Sequence, residues 1–205
     1  MNIARRKILQ AASELFLEGG IAALSVRSIA KHAGVSTIGI YSHFQGKEGI
    51  LDELYIQGFE LVMQAMDFEQ HGLSPKEVMR RGIRGYFAMA EAHEAHYRLI
   101  FGENDSRYTP LEEAKAVAEK AFGQLLKVTA LLLPDDANMA LKHKNALEIW
   151  AFVHGYVSLK HHAVASIFAT KGRLSFNPLI SHVATIEAAF ILGRKTACAE
   201  ILASA

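Results

Sequence analysis

Apolar residues recur at helical spacing along nearly the whole chain, and polar capping residues punctuate them. Ile8, Ala12, Leu15 and Phe16 fall at i, i+4, i+7 and i+8, the stripe of a first helix, and Gly19-Gly20 stops it. Ser25 then reads as an N-cap, because its hydroxyl can accept from the unpaired N–H groups of the next turn. Ile29, Ala30 and Ala33 give the short helix that follows one apolar stripe. Gly34 can take positive φ and so reverse the chain within three residues. Ser36 caps a third helix whose Ile40 and Phe44 point inward, leaving Thr37, Ile38, Gly39, Ser42 and His43 to face outward. Two short helices joined by a tight glycine turn, the second with a small and polar outer face, predict a helix-turn-helix with an exposed recognition helix.

The helical pattern continues. Residues 47–68 carry Ile50, Leu54, Phe59, Leu61 and Val62 as apolar positions. Ser74-Pro75, with Glu77 three residues after the cap, opens a helix running to about His93. A short helix to Phe101, a polar loop over 102–108 and a helix from Thr109-Pro110 to about Leu133 come next. Pro134-Asp135-Asp136 ends that helix, residues 138–168 form a long one, and Asn177-Pro178 opens a last helix to about Leu202. No strand pattern competes. The expected fold is all-α, with a three-helix helix-turn-helix domain over 1–46 and a larger helical body over 47–205.

Composition narrows the setting. Hydrophobic residues make up 51% of the 205, enough for a sizeable core, and only four prolines interrupt them. No 18-residue apolar run is present to span a membrane. The N-terminus lacks the apolar stretch of a signal peptide, and a lone Cys198 allows no internal disulfide, so the cytoplasm is the expected location. Charge is unevenly spread. Residues 1–50 hold six Lys/Arg against three Glu, a net of +3, while the remainder holds 16 against 18, a net of −2. A mild positive potential at one end suits a duplex backbone, but specific donors must do most of the binding.

The run Ile-Ala-Lys-His-Ala-Gly-Val-Ser-Thr-Ile-Gly-Ile-Tyr-Ser-His-Phe-Gln-Gly-Lys-Glu (29–48) closely resembles the DNA-binding segment of the TetR family, the tetracycline-repressor-like bacterial regulators. The resemblance spans about residues 3–60. It departs at Ile38, where the family usually has a small residue, so no base preference carries over. The family pattern implies phosphate contacts from Tyr41, His43 and Lys47, with Ser25, Arg27 and Ser36 as further candidates. Thr37, Ile38, Gly39 and Ser42 would meet base edges, with Arg27 as an additional reader, and Ile38 could touch a thymine methyl. No Arg, Asn or Gln lies on the recognition helix, so shape or water should carry part of the specificity. The bland alternative makes Tyr41 and Phe44 core aromatics and Lys47 a solvated helix end; for Phe44 the core reading is preferred.

The resemblance also implies a body that binds a small molecule and forms a homodimer through its last two helices. Ala184, Ala188, Ala189, Gly193 and Ala197 would let helices approach closely there, within one subunit or between two. Trp150-Ala-Phe-Val-His154-Gly155 resembles the Trp…His-Gly signature of one TetR-type C-terminal class, with His154 more readily a core or interface group than a ligand contact. Candidate effector-lining residues are Tyr86, Met89, Tyr97, Phe101, Phe122, Trp150 and His154, a wall suited to a small, largely apolar effector with one polar handle. One alternative is a DNA-binding regulator that answers to no small molecule; the rival from another class is a helical-bundle enzyme or metal carrier. His93-Glu94-Ala95-His96 spaces its histidines three apart rather than four, no Glu-x-x-His pair occurs, and no cofactor motif is present. His93 and His96 could hold a metal only with a further ligand such as Glu91, and Cys198 lacks an obvious base.

Overall fold

A computed structural model describes residues 3–101 and 108–161. Eight helices form among them: α1 (Ile3–Ala23), α2 (Val26–Ala33), α3 (Thr37–Phe44), α4 (Lys47–Ala65), α5 (Pro75–Ala92), α6 (Glu94–Phe101), α7 (Glu112–Ala130) and α8 (Met139–His161). No strand occurs among the described residues. The fold is all-α, with an N-terminal helix-turn-helix. α1 loses helical geometry at Gly19 and Gly20, where the pattern ends its stripe. α7 begins two residues beyond Thr109-Pro110 and stops three short of Leu133. The long C-terminal segment is described to His161 only, so the predicted last helix, its small-residue stripe and Cys198 lie outside the described residues.

Two compact units divide the chain, Met1–Phe68 with Tyr86–Leu125 and Glu69–Gly85 with Leu126–Ala205. In the first, one apolar core runs through the helix-turn-helix into the body. Ile8 and Phe16 of α1, Ile29 of α2, Ile40 of α3 and Ile50 and Leu51 of α4 are essentially inaccessible to solvent. Each such side chain contributes about 1.5–3 kcal/mol by leaving water. Ala95 and Leu99 of α6 join the same core. α4 therefore buries one face against α1 and α3 and another against α6.

That second crossing is close. A Cβ placed on Gly58 of α4 would lie 2.8 Å from Cγ2 of Ile100, inside normal contact distance. A buried carboxylate fixes α4 further: Asp52 Oδ1 accepts from the Tyr108 hydroxyl at 2.8 Å and from the Leu111 N–H at 3.0 Å. Burial, reinforced by Asp52, pushes the Tyr108 phenol well above its ordinary range.

In the second unit, the start of α5 contributes Val78, Met79 and Ile83 to the interior, and α8 contributes Ala146, Ile149, Val153 and Val157. The amide of buried Asn145 donates to the Thr129 carbonyl at 2.8 Å, joining α8 to the end of α7. Among the described residues no helix is long and apolar enough to cross a membrane.

Candidate nucleic-acid interface

The helix-turn-helix is assembled by its caps. Ser25 sits in extended backbone (φ −141°, ψ 156°), and its hydroxyl accepts from the Ser28 N–H at 3.0 Å. Ser28 answers by accepting from the Ser25 N–H at 2.9 Å, so a serine fills the position usually held by Glu in a capping box. Gly34 ends α2 in the left-handed region (φ 66°, ψ 35°), and the Val35 N–H reaches back to the Ala30 carbonyl at 3.0 Å. Ser36 caps α3 by accepting from the Gly39 N–H at 3.1 Å. These bonds engage helix-end groups without using the side chains of Thr37, Ile38 or Tyr41.

That outer face is open. Ile38 is 78% exposed and Tyr41 58% exposed, while Ile40 and Phe44 on the opposite side are buried. Thr37 and Ser42 are also exposed, and Gly39 and His43 half-buried. Tyr41 is therefore a surface group and Phe44 a core one. Leaving an isoleucine in water forgoes most of its burial energy, which makes Ile38 the chemically unusual member of the face. Ser42 donates its hydroxyl to the Gly39 carbonyl at 3.0 Å, so only its oxygen lone pairs are offered outward.

The other positions expected to meet phosphate differ in placement. Arg27 and Ser36 are exposed. Ser25 is exposed too, but its hydroxyl is engaged in the cap and with the Ser28 hydroxyl at 2.9 Å. Lys47 is half-buried and donates to the Ile21 carbonyl at 3.1 Å, tying the start of α4 to the end of α1. An ammonium has three donors, so this bond leaves the group able to approach an anion as well.

Two positions behind α3 are not marked by the periodicity of its apolar residues. Gly49 stands where a Cβ would fall 1.8 Å from the Phe44 carbonyl oxygen, so the α3–α4 corner admits only glycine. Arg5 of α1 donates to the His43 carbonyl at 3.1 Å, pairs with Glu53 of α4, and stacks over the Phe44 ring at 4.5 Å. A signal for Arg5 existed: it lies three residues before Ile8, on the buried stripe of α1, where a charge needs a partner.

Among the effector candidates, Tyr86, Met89 and Tyr97 are buried, and Phe101 and Phe122 half-buried, within the first unit. Three of them meet: ring centroids are 5.9 Å apart for Tyr86–Tyr97, 5.3 Å for Tyr97–Phe101 and 6.3 Å for Tyr86–Phe101. Phe59 of α4 extends the cluster, 5.7 Å from Phe101. Burial pushes the Tyr97 phenol up to about 12. Trp150 and His154 belong to the second unit, with centroids 6.3 Å apart, and burial pulls the His154 imidazole below its ordinary value. His93 and His96 have ring centroids 6.0 Å apart, and no group of three or more His, Cys, Asp or Glu among the described residues is arranged to hold a metal ion.

A short helix, capped and supported from behind with its far side given over to solvent, defines a helix-turn-helix DNA-binding protein. Known proteins carry the same two parts. Residues 8–54 match the family described as "Bacterial regulatory proteins, tetR family", and residues 79–182 match "Tetracyclin repressor-like, C-terminal domain". The chain belongs to the TetR family of DNA-binding transcriptional regulators. The HTH-type transcriptional repressor KstR2 of Mycobacterium tuberculosis is 33% identical over 133 residues, 62% of this chain and 66% of that protein. The uncharacterized HTH-type transcriptional regulator YerO of Bacillus subtilis is 31% identical over 107 residues, 51% of this chain and 37% of that one. The chain thus spans about one third to two thirds of the length of these curated relatives. A Rhodococcus sp. RHA1 protein of unknown function shares the fold with a TM-score of 0.70 at 22% identity, covering 94% of this chain and 96% of that one. The solved structure of KstR2, described as a ketosteroid transcriptional regulator, shares it with a TM-score of 0.63 at 20% identity over 94% of this chain and 95% of that one.

Proposed function

We propose that this chain represses transcription as a homodimer on a palindromic operator and releases DNA when a small molecule binds its body. The observation that carries the reading is the two-sidedness of α3, buried at Ile40 and Phe44 and open at Thr37, Ile38 and Tyr41. Residues 1–46 act as the DNA-binding domain and 47–205 as the sensing and dimerising body. Tyr41, His43 and Lys47 contact phosphates, with Ser25, Arg27 and Ser36 nearby, and Thr37, Ile38, Gly39 and Ser42 read the major groove. Two α3 helices of a symmetric pair must stand about one DNA turn apart, roughly 34–36 Å, to enter successive grooves.

The effector is small and largely apolar. The buried contacts of Tyr86, Tyr97 and Phe101 support an aromatic wall, and KstR2's description as a ketosteroid regulator is in keeping with one. An effector that binds a body with another spacing better shifts the population away from the DNA-competent form. The protein works in the cytoplasm and needs no cofactor. Selection from a random duplex pool with the full-length protein tests the reading: enrichment of an inverted repeat is expected. Recovery of sequences no different from the input pool overturns it.

A further inference from the structure

Arg5 ends one arm of a polar chain that crosses four helices. Its guanidinium donates through Nη1 to the His43 carbonyl at 3.1 Å and through Nη2 to Oε2 of Glu53. The other carboxylate oxygen of Glu53 accepts from the Gln57 amide nitrogen at 3.0 Å, one helical turn along α4. The amide oxygen of Gln57 lies 3.4 Å from Nε2 of His96 on α6. An ionised carboxylate only accepts, so Gln57 must turn its NH2 to Glu53 and its oxygen to His96, which then carries its proton on Nε2. The direction of every bond from α6 to α3 follows from that one acceptor.

The His43 carbonyl belongs to the last turn of α3, where carbonyls lack partners within the helix and the dipole end is negative. A guanidinium there both caps and neutralises. The same group stacks on Phe44, so it grips the backbone and the core side chain of one helix end. None of these contacts lies on the outer face that carries Thr37, Ile38 and Tyr41. The side chains of Arg5 and Glu53 are 33% and 24% exposed, partly withdrawn from the solvent screening that weakens surface pairs.

We propose that Arg5 is a positioning residue for the recognition helix, held in its place by Glu53, which Gln57 steadies in turn. The proposal rests on the DNA-binding reading and adds a residue that aims that surface from behind.

Binding of the full-length protein and its variants is measured by fluorescence anisotropy on two probes, over a range of salt. One probe is the duplex that wild type selects from a random pool; the other is a random duplex of equal length. Arg5→Gln should bind the selected duplex about tenfold more weakly, the random duplex as wild type does, and show an unchanged salt slope. A phosphate contact would instead weaken both duplexes and flatten the slope by about one ion. A purely structural loss, checked by thermal melting, would weaken both in equal proportion. Glu53→Gln gives the sharper sign. Removing a negative charge favours DNA on electrostatic grounds, whereas the positioning role predicts weaker binding to the selected duplex. Gln57→Leu should weaken selected binding two- to threefold, and adding either change to Arg5→Gln should cost nothing more. Equal binding by wild type and Arg5→Gln, tighter binding by Glu53→Gln, or full additivity overturns the proposal. A wild type that selects no duplex overturns the DNA-binding reading itself, and this proposal with it.

Discussion

α3 and α6 are both eight residues long, yet the molecule uses them in opposite ways. α3 commits Ile40 and Phe44 to the core and turns Ile38 and Tyr41 to solvent. α6 buries Ala95, Tyr97 and Leu99 and crosses α4 closely at Gly58. A helix kept open for a partner has few contacts of its own, so its aim must be set by caps, a glycine corner and Arg5 behind it. A helix enclosed on several sides is instead sensitive to volume. Perturbing the support of α3 should therefore disturb recognition, and perturbing the packing of α6 should disturb stability.

The largest effect is expected at the α3–α4 corner. Gly49→Ala brings a methyl against the Phe44 carbonyl, a backbone atom that cannot yield without moving α3. It should lower stability by about 3 kcal/mol and abolish duplex selection, read by thermal melting and anisotropy. Wild-type melting and binding would mean that the corner is looser than the geometry states. Gly58→Ala overfills the α4–α6 crossing and should cost about 1–3 kcal/mol. Because it acts from the α6 side, operator affinity should fall less steeply than in Gly49→Ala.

His96 supplies a pH test of the enclosed helix. Burial, with His93 nearby, pulls its imidazole down to about 4 from the ordinary 6.5. Its folded-state value is depressed, so the native protein binds fewer protons than the unfolded chain between these limits. The stability it contributes is complete above about pH 6.5 and is lost as pH falls toward 4, with a slope of at most about 1.4 kcal/mol per unit. Denaturant titrations of His96→Gln should show a shallower acid decline than wild type. Identical slopes would place the acid sensitivity elsewhere.

The smallest stability effect belongs to the open face. Ile38→Ala should change stability by less than about 0.5 kcal/mol, because the residue is 78% exposed. It should nonetheless cancel a preference for thymine over uracil of about 0.8 kcal/mol, the worth of one buried methyl, at one half-site position. Replacing each thymine of the selected duplex by deoxyuridine locates that position. An Ile38→Ala variant that keeps the full preference removes Ile38 from the base-reading set.

Local features were legible in the sequence. Ser25, Gly34 and Ser36 announce the caps within three residues of the bonds they make, and the 3.6-residue period separates Ile40 and Phe44 from the outer face. The position of Arg5 on the α1 stripe hints that it needs a partner, but which groups support α3 was not legible, because they are remote in the chain. Arg5 is 38 residues from His43 and 48 from Glu53, and Lys47 is 26 from Ile21. Periodicity reports which way a side chain points and nothing about which helix it meets. Likewise Asp52 looks like a solvated residue of α4 until Tyr108 and Leu111, 56 and 59 residues away, close over it. For the effector candidates, composition located the rings, and the structure joins Tyr86, Tyr97 and Phe101 in contact.

Dimethyl sulfate footprinting of the selected duplex bears most directly on the claim that α3 reads the major groove in pairs, since the reagent reports guanine N7 there. Two protected windows centred about one helical turn apart, roughly 10 base pairs, are expected, and protection in both should fall together in Gly49→Ala. Full binding with every N7 left reactive, or a single unrepeated window, would contradict it.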